Sequence, residues 1–205
     1  MTMRRNEWMT PDGTRDLLFE ECTARRRLER AIASLFEEFG YHEVATPAIE
    51  FYDVFLSEGA GIPPERMFKM TDLQGRLLVL RPDLTAPIAR LVGTRLRDVR
   101  LPLRLYYDQN VYRMSPGLCG RKSEIGQMGL ELIGSGSEAA DCEVLAAACY
   151  ALDASLCGKG RPVVEIGHVG LFKRLCARIG LSEEEMEAVK QAVREKNATA
   201  LTGLL

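Results

Sequence analysis

The chain is predicted to fold as an α+β domain around a mainly antiparallel sheet flanked by helices. Three observations lead there. Residues 103–113 and 124–133 are two long runs with strand-like alternation. A long amphipathic stretch, residues 14–39, precedes them, and an alanine-rich helical stretch, residues 138–156, follows. Strands and helices are mixed without the β-α-β rhythm of a parallel sheet. The 205 residues are 46% apolar and 27% charged, which is globular composition with ample material for a core.

From the N-terminus, Thr10-Pro11-Asp12-Gly13 is turn chemistry. In the helix that follows, Leu28, Ile32, Leu35, Phe36 and Phe39 recur at three- and four-residue spacing, and Gly40 supplies the stop. Arg25, Arg26, Arg27 and Arg30 are its solvated face, balanced by Glu29, Glu37 and Glu38. Residues 41–46 form a short strand ending at Pro47, and residues 52–58 a short helix before the loop 59–64. Residues 67–71 and 76–80 form a hairpin around Asp72-Leu73-Gln74-Gly75. Pro82 then opens a helix over residues 83–97, with Leu84, Ile88, Leu91 and Val92 as its buried stripe. Residues 135–137 turn the chain into the alanine-rich helix. A composition shift at residues 158–162 marks a hinge, followed by a strand at 163–166 and a helix at 170–179. Ser182 caps a last helix, with Glu183, Glu184 and Glu185 in its first turn, where the helix dipole favours acids. The expected division is a core over residues 1–157, continued by residues 158–205 into a helical segment.

The chemistry concentrates on the second long strand. Gln127, Gly129 and Glu131 share one face, and Met128, Leu130 and Leu132 share the other, because successive strand residues point to opposite sides. One set enters a core while the other forms a polar floor, and Gly129 leaves room for a small ligand near the backbone. Arg113 closes the preceding strand, and a guanidinium suits a carboxylate or phosphate because its donors form a planar fork. On its own Arg113 is a surface arginine at a strand end. Beside Gln127 and Glu131 it completes a cation, amide and carboxylate set, the complement of a polar amino acid. Asp83 and Thr85, in Leu80-Arg81-Pro82-Asp83-Leu84-Thr85-Ala86, are either an ordinary acidic helix start or acceptors for a ligand ammonium. His42 and His168 belong to turns or packing, with no nucleophile paired to them.

Other classes are excluded on chemistry. Net charge is −2, so this is no simple basic nucleic-acid module. The six cysteines form no CxxC pair and no finger-like spacing with the two histidines, and reduced thiols in a cytoplasmic setting are expected. Residues 1–10 lack the apolar stretch of a signal peptide, and the longest uncharged apolar run, residues 144–152, is too short to cross a bilayer. No phosphate-cradling GxxxxGK[ST] and no dinucleotide fingerprint occurs, and no metal or cofactor is expected.

Pro11-Asp12-Gly13-Thr14-Arg15-Asp16 before a long helix, Leu80 to Ala86, Tyr112-Arg113, Gly120-Arg121 and Gln127-Met128-Gly129-Leu130-Glu131-Leu132-Ile133-Gly134 together resemble the catalytic core of class II histidine–tRNA ligases. The resemblance runs from about Pro11 to at least Leu181 and implies a class II aminoacyl-tRNA synthetase-like core, with a six-stranded antiparallel sheet, flanking helices and dimerisation. Two families share that core, the ligase and the regulatory subunit of ATP phosphoribosyltransferase. In the ligase pattern Arg113 is followed two positions on by a glutamate and a basic residue that hold ATP; here those positions are Ser115 and Pro116. The ligase has Glu where this chain has Asp83 in Arg-Pro-Asp-Leu-Thr-Ala, which is similar to the regulatory subunit, as are Ile133-Gly134, Ala139-Ala140-Asp141 and Gly167-His168-Val169-Gly170-Leu171-Phe172. Adenylate formation needs preorganised cations around the transferring phosphates, so the change at 115–116 favours amino-acid binding without ATP activation. The 205 residues contain neither the glycine-rich strand and arginine of motif 3 nor an Arg-Gly-Leu-Asp-Tyr-Tyr segment, which counts against ligation if the sequence is complete.

The resemblance therefore implies a non-catalytic regulatory subunit, with no catalytic residues of its own. It would act as a homodimer within a hetero-oligomer that includes a short-form catalytic ATP phosphoribosyltransferase. That partner condenses ATP with phosphoribosyl pyrophosphate at the first step of histidine biosynthesis, and histidine is the effector. Asp83, Thr85 and Gln127 would hold its amino group, Arg113 its carboxylate and Glu131 its imidazole side. Neither nucleic acid nor membrane is an expected partner. A histidine–tRNA ligase and a ligand-free scaffold subunit remain the alternatives.

Overall fold

A computed structural model describes residues 9–56, 62–114, 122–156 and 159–204. The chain divides into two compact units, Met1–Pro162 and Val163–Leu205.

In the first unit, helix α1 (Phe19–Glu38) begins five residues later than its apolar periodicity suggests. Tertiary pairing holds the preceding segment out of the helix. The Ser123 N–H donates to the Gly13 carbonyl at 2.7 Å, and Gly13 has φ +79°, with a Cβ there falling 2.7 Å from the Ser123 nitrogen. Of the expected stripe, Ile32 and Phe36 are buried and Leu28 is exposed. Strand β1 is short (His42–Glu43) and is followed by β2 (Ile49–Phe51) and a 3₁₀ turn, Tyr52–Phe55. The hairpin forms as β3 (Lys69–Thr71) and β4 (Leu77–Leu80). Asp72 organises its turn by accepting from the backbone N–H groups of Gln74 and Arg76 at 2.9 and 2.8 Å.

Helix α2 (Thr85–Arg95) leads to β5 (Leu103–Tyr112) and β6 (Glu124–Ile133), which pair antiparallel over their whole length. Helix α3 (Glu138–Leu156) follows, started by the Ser137 hydroxyl, which accepts from the Ala140 N–H. Among the described residues the strands do not form the one six-stranded antiparallel sheet that the resemblance implies; they make two sheets of three, ordered β1-β5-β6 and β2-β4-β3. β1 runs parallel to β5, so the first sheet is mixed.

Each face of β5–β6 carries its own core. Leu103, Leu105, Tyr107 and Val111 pack with Leu84 and Ile88 around α2. On the other face Tyr106 joins Ile32 and Phe36 of α1, Tyr41 and Ala147 of α3, with Met128, Leu130 and Leu132 packed against them. A third cluster, Phe55, Met67 and Val79, fills the space beneath the small sheet. Ion pairs tie these layers together: Glu50 of β2 with Arg90 of α2 at 2.6 Å, and Arg104 of β5 with Glu143 of α3 at 2.6 Å.

The second unit is helical, with α4 (Val169–Arg178), α5 (Glu183–Arg194) and α6 (Ala198–Leu204). Residues 163–166 form no strand; Val163 and Ile166 are exposed, and β-branched residues make a strand only where a partner ladder exists. The His168 imidazole Nδ1 accepts from the Leu171 N–H and starts α4, a turn role in keeping with its sequence context. Ser182 and Glu185 close a reciprocal capping box on α5.

Candidate functional site

The β4–α2 turn is anchored before it presents any polar group. Arg81 is buried; its Nε–H donates to the Asn110 carbonyl at 2.8 Å and a terminal nitrogen to the Thr46 carbonyl. Gln109 secures the same Thr46, accepting its N–H and donating to its carbonyl, both at 3.0 Å. These contacts fix the end of β4 against β5 and so set where Asp83 and Thr85 stand.

All five sequence-predicted residues, Asp83, Thr85, Arg113, Gln127 and Glu131, come together on the α2 side of β5–β6. Asp83 accepts the Thr85 N–H at 2.8 Å, closing the turn ahead of α2; the helix begins at Thr85, so Asp83 stands just outside the first turn that the sequence predicts for it. Its second carboxylate oxygen lies 3.9 Å from a terminal nitrogen of Arg113. Arg113 also donates through Nε to the Pro82 carbonyl at 2.8 Å, which leaves its fork partly committed. The Thr85 hydroxyl donates to Glu131 at 2.7 Å. Burial pushes the Glu131 carboxyl above its ordinary range; the Thr85 hydrogen bond opposes this and the Asp83 charge adds to it. Among the described residues no cation pairs with Glu131. The site is thus two carboxylates facing one arginine, an arrangement that favours a ligand carrying positive charge.

Sequence reasoning missed Tyr107. It stands opposite Gly129 in the ladder, and its ring fills the space the glycine opens. The room above Gly129 is therefore occupied by an aromatic side chain and is not left for a ligand, a correction to the sequence-based expectation. Its hydroxyl accepts from Gln127 Nε2 at 3.0 Å. An aromatic directly opposite a glycine is a cross-strand match, a signal that becomes readable only once the register is known. Ser115, Pro116, Gly117, Cys119, Gly120 and Arg121 lie outside the described residues.

The opposite face of β5–β6 carries an open groove of about 1140 Å³ between the segment 12–17, α1 and the strands. Arg25, expected on a solvated face, instead bonds the buried Glu29 and reaches Asn110 at 3.1 Å, while Asn110 donates to Glu124. The groove's central charges thus answer one another. Among the described residues no group of His, Cys, Asp and Glu could hold a metal, and no helix is long and apolar enough to cross a membrane.

The long helix α1, the short strand β1 and the long antiparallel pair β5–β6 with its polar floor match the class II aminoacyl-tRNA synthetase-like core that the resemblance implies. The chain belongs to the histidyl-tRNA synthetase family, whose profile, described as Histidyl-tRNA synthetase, matches residues 13–205. It is similar to a Clostridium kluyveri protein named ATP phosphoribosyltransferase regulatory subunit, at 44% identity over 95% of this chain and 49% of that protein. A protein of the same name from Acetivibrio thermocellus is 43% identical over 97% of this chain and 48% of its own length. Among solved structures, one titled as an ATP phosphoribosyltransferase regulatory subunit/histidyl-tRNA synthetase from Bacillus halodurans C matches with a TM-score of 0.83. Its identity is 34%, over 98% of this chain and 51% of that one. The chain spans about half the length of the curated relatives it matches, so the missing motif 3 bears on nothing.

Proposed function

We propose that this chain belongs to a non-catalytic regulatory subunit of ATP phosphoribosyltransferase and that the site on the α2 face binds histidine. The observation that carries the reading is the convergence of Asp83, Thr85, Arg113, Gln127 and Glu131, with the half-buried Glu131 carboxyl pushed above its ordinary pKa by desolvation and paired with no cation among the described residues. In this reading Asp83, Thr85 and Gln127 hold the ligand's ammonium, Arg113 its carboxylate, and Glu131 the imidazole. The regulatory assignment is supported by the names of the relatives and by Ser115 and Pro116, which replace the ATP-holding pair of the ligase pattern. The subunit assembles as a homodimer with a short catalytic phosphoribosyltransferase in the cytoplasm. Histidine acts by binding one assembly state better than another, a coupling of about 1–3 kcal/mol in typical cases.

The family profile and the Bacillus halodurans title favour one second reading, the ligase itself. Purified protein decides between them. The regulatory reading expects calorimetric binding of histidine, stimulation of a short phosphoribosyltransferase, and no histidine-dependent ATP–pyrophosphate exchange. Exchange activity would establish the ligase; stimulation without histidine binding would leave only a scaffold. Replacing Glu131 with Ala should weaken histidine binding about tenfold or more while thermal unfolding stays cooperative.

A further inference from the structure

Tyr107 is the member of the site to which the proposed roles give no task. Its ring is 5% exposed, packed in the cluster with Leu84, Ile88, Leu105 and Val111. A Cβ on Gly129 would fall 2.6 Å from Tyr107 Cζ, so the ring sits down on the glycine backbone. This carries the hydroxyl to the floor between Gln127 and Glu131, which flank Gly129 on the same face of β6. There it accepts from Gln127 Nε2 at 3.0 Å. Among the described residues the Tyr107 hydroxyl and the Gln127 amide make no other side-chain hydrogen bond.

An amide has one face that donates and one that accepts. With one N–H of Gln127 given to Tyr107, the amide is held in one of its two orientations, its carbonyl oxygen turned away from the tyrosine and able to accept from a ligand donor. Burial and the Glu131 and Asp83 charges keep the tyrosine protonated, so the arrangement persists across neutral pH. We propose that Tyr107 is a positioning and specificity-determining residue: its hydroxyl orients the Gln127 amide so that the site selects ligands bearing an α-ammonium group. This rests on reading the site as an amino-acid pocket.

The test compares histidine with imidazolepropionate, the same molecule without its amino group. Calorimetry is run on the full chain as wild type, Tyr107→Phe, Gln127→Ala and the double variant. Tyr107→Phe keeps the ring over Gly129 and removes only the oxygen. It should bind histidine about three- to tenfold more weakly, with imidazolepropionate unaffected. Gln127→Ala should do the same, and the double variant should be no worse than Gln127→Ala, the non-additivity expected of groups acting as one unit. Equal losses for both ligands, full additivity, or unchanged histidine binding in Tyr107→Phe would overturn the role of Tyr107 and leave the pocket intact. Wild-type protein that binds neither ligand would remove both. Should Tyr107→Phe fail to fold, Gln127→Ala still has to lose the preference for histidine, and a preserved preference overturns the inference.

Discussion

Glu131 is a carboxylate half inside the fold whose protein partner is a threonine hydroxyl. Because burial raises its pKa, the folded chain holds a proton there more tightly than the unfolded chain does. Its contribution to stability is therefore present below the ordinary glutamate range and is lost as pH rises through the raised pKa. Glu131→Gln should be more stable than wild type at neutral pH, with the gap closing in acid; equal melting curves at both pH values would refute this. Ligand binding runs the other way, because a cationic ligand needs the ionised form. Histidine affinity should fall as pH is lowered through the raised Glu131 range, and Glu131→Gln should flatten that dependence. Gly129→Ala should cost about 1–3 kcal/mol in denaturant unfolding, because Tyr107 has to move. Asp83, Thr85, Arg113, Gln127 and Glu131 were legible because each is a polar group at a motif position or on a strand face. Tyr107 was not, because alternation assigns faces within one strand and says nothing of which residues stand opposite across the ladder.

Elements set by local chemistry were read most sharply. β6 and α3 have their expected bounds, since alternation, the Gly134 break and the Ser137 start all act within a few residues. The start of α1 was missed because Gly13 is pinned by Ser123, more than a hundred residues away, and no periodicity encodes that. Residues 163–166 failed for the complementary reason: strand propensity without a neighbouring strand produces an exposed extended segment. Two elements carry measurable predictions. Ser182→Ala removes the serine half of the α5 capping box and should cost about 1 kcal/mol of local stability, seen as faster amide exchange in residues 183–186. Arg90→Ala leaves the buried Glu50 carboxylate without its cation and should destabilise the first unit by about 1–3 kcal/mol in denaturant unfolding. No change in the midpoint would mean that the β2–α2 tie contributes nothing.

At the scale of the whole molecule, the two units differ in how much apolar surface they remove from water. The first has three clusters, with Tyr41, Val79, Leu84, Ile88, Tyr106 and Val111 almost wholly buried. In the second, the buried side chains among those described are Cys176, Val189 and Ala192, while Leu171, Leu175, Ile179 and Val193 are exposed. Helix caps secure the ends of α4 and α5, but caps contribute about 1 kcal/mol each, far less than a packed core. Local opening free energies in one protein range from near zero to the global value, following buried contact density. Amides of β5 and β6 should therefore exchange only through global unfolding, and those of α4 and α5 on the order of a hundredfold faster. Exchange mass spectrometry on the full chain measures this directly. Equal protection in both units would show that residues 163–205 draw stability from something other than their own core, and the division into two units would then carry no energetic meaning.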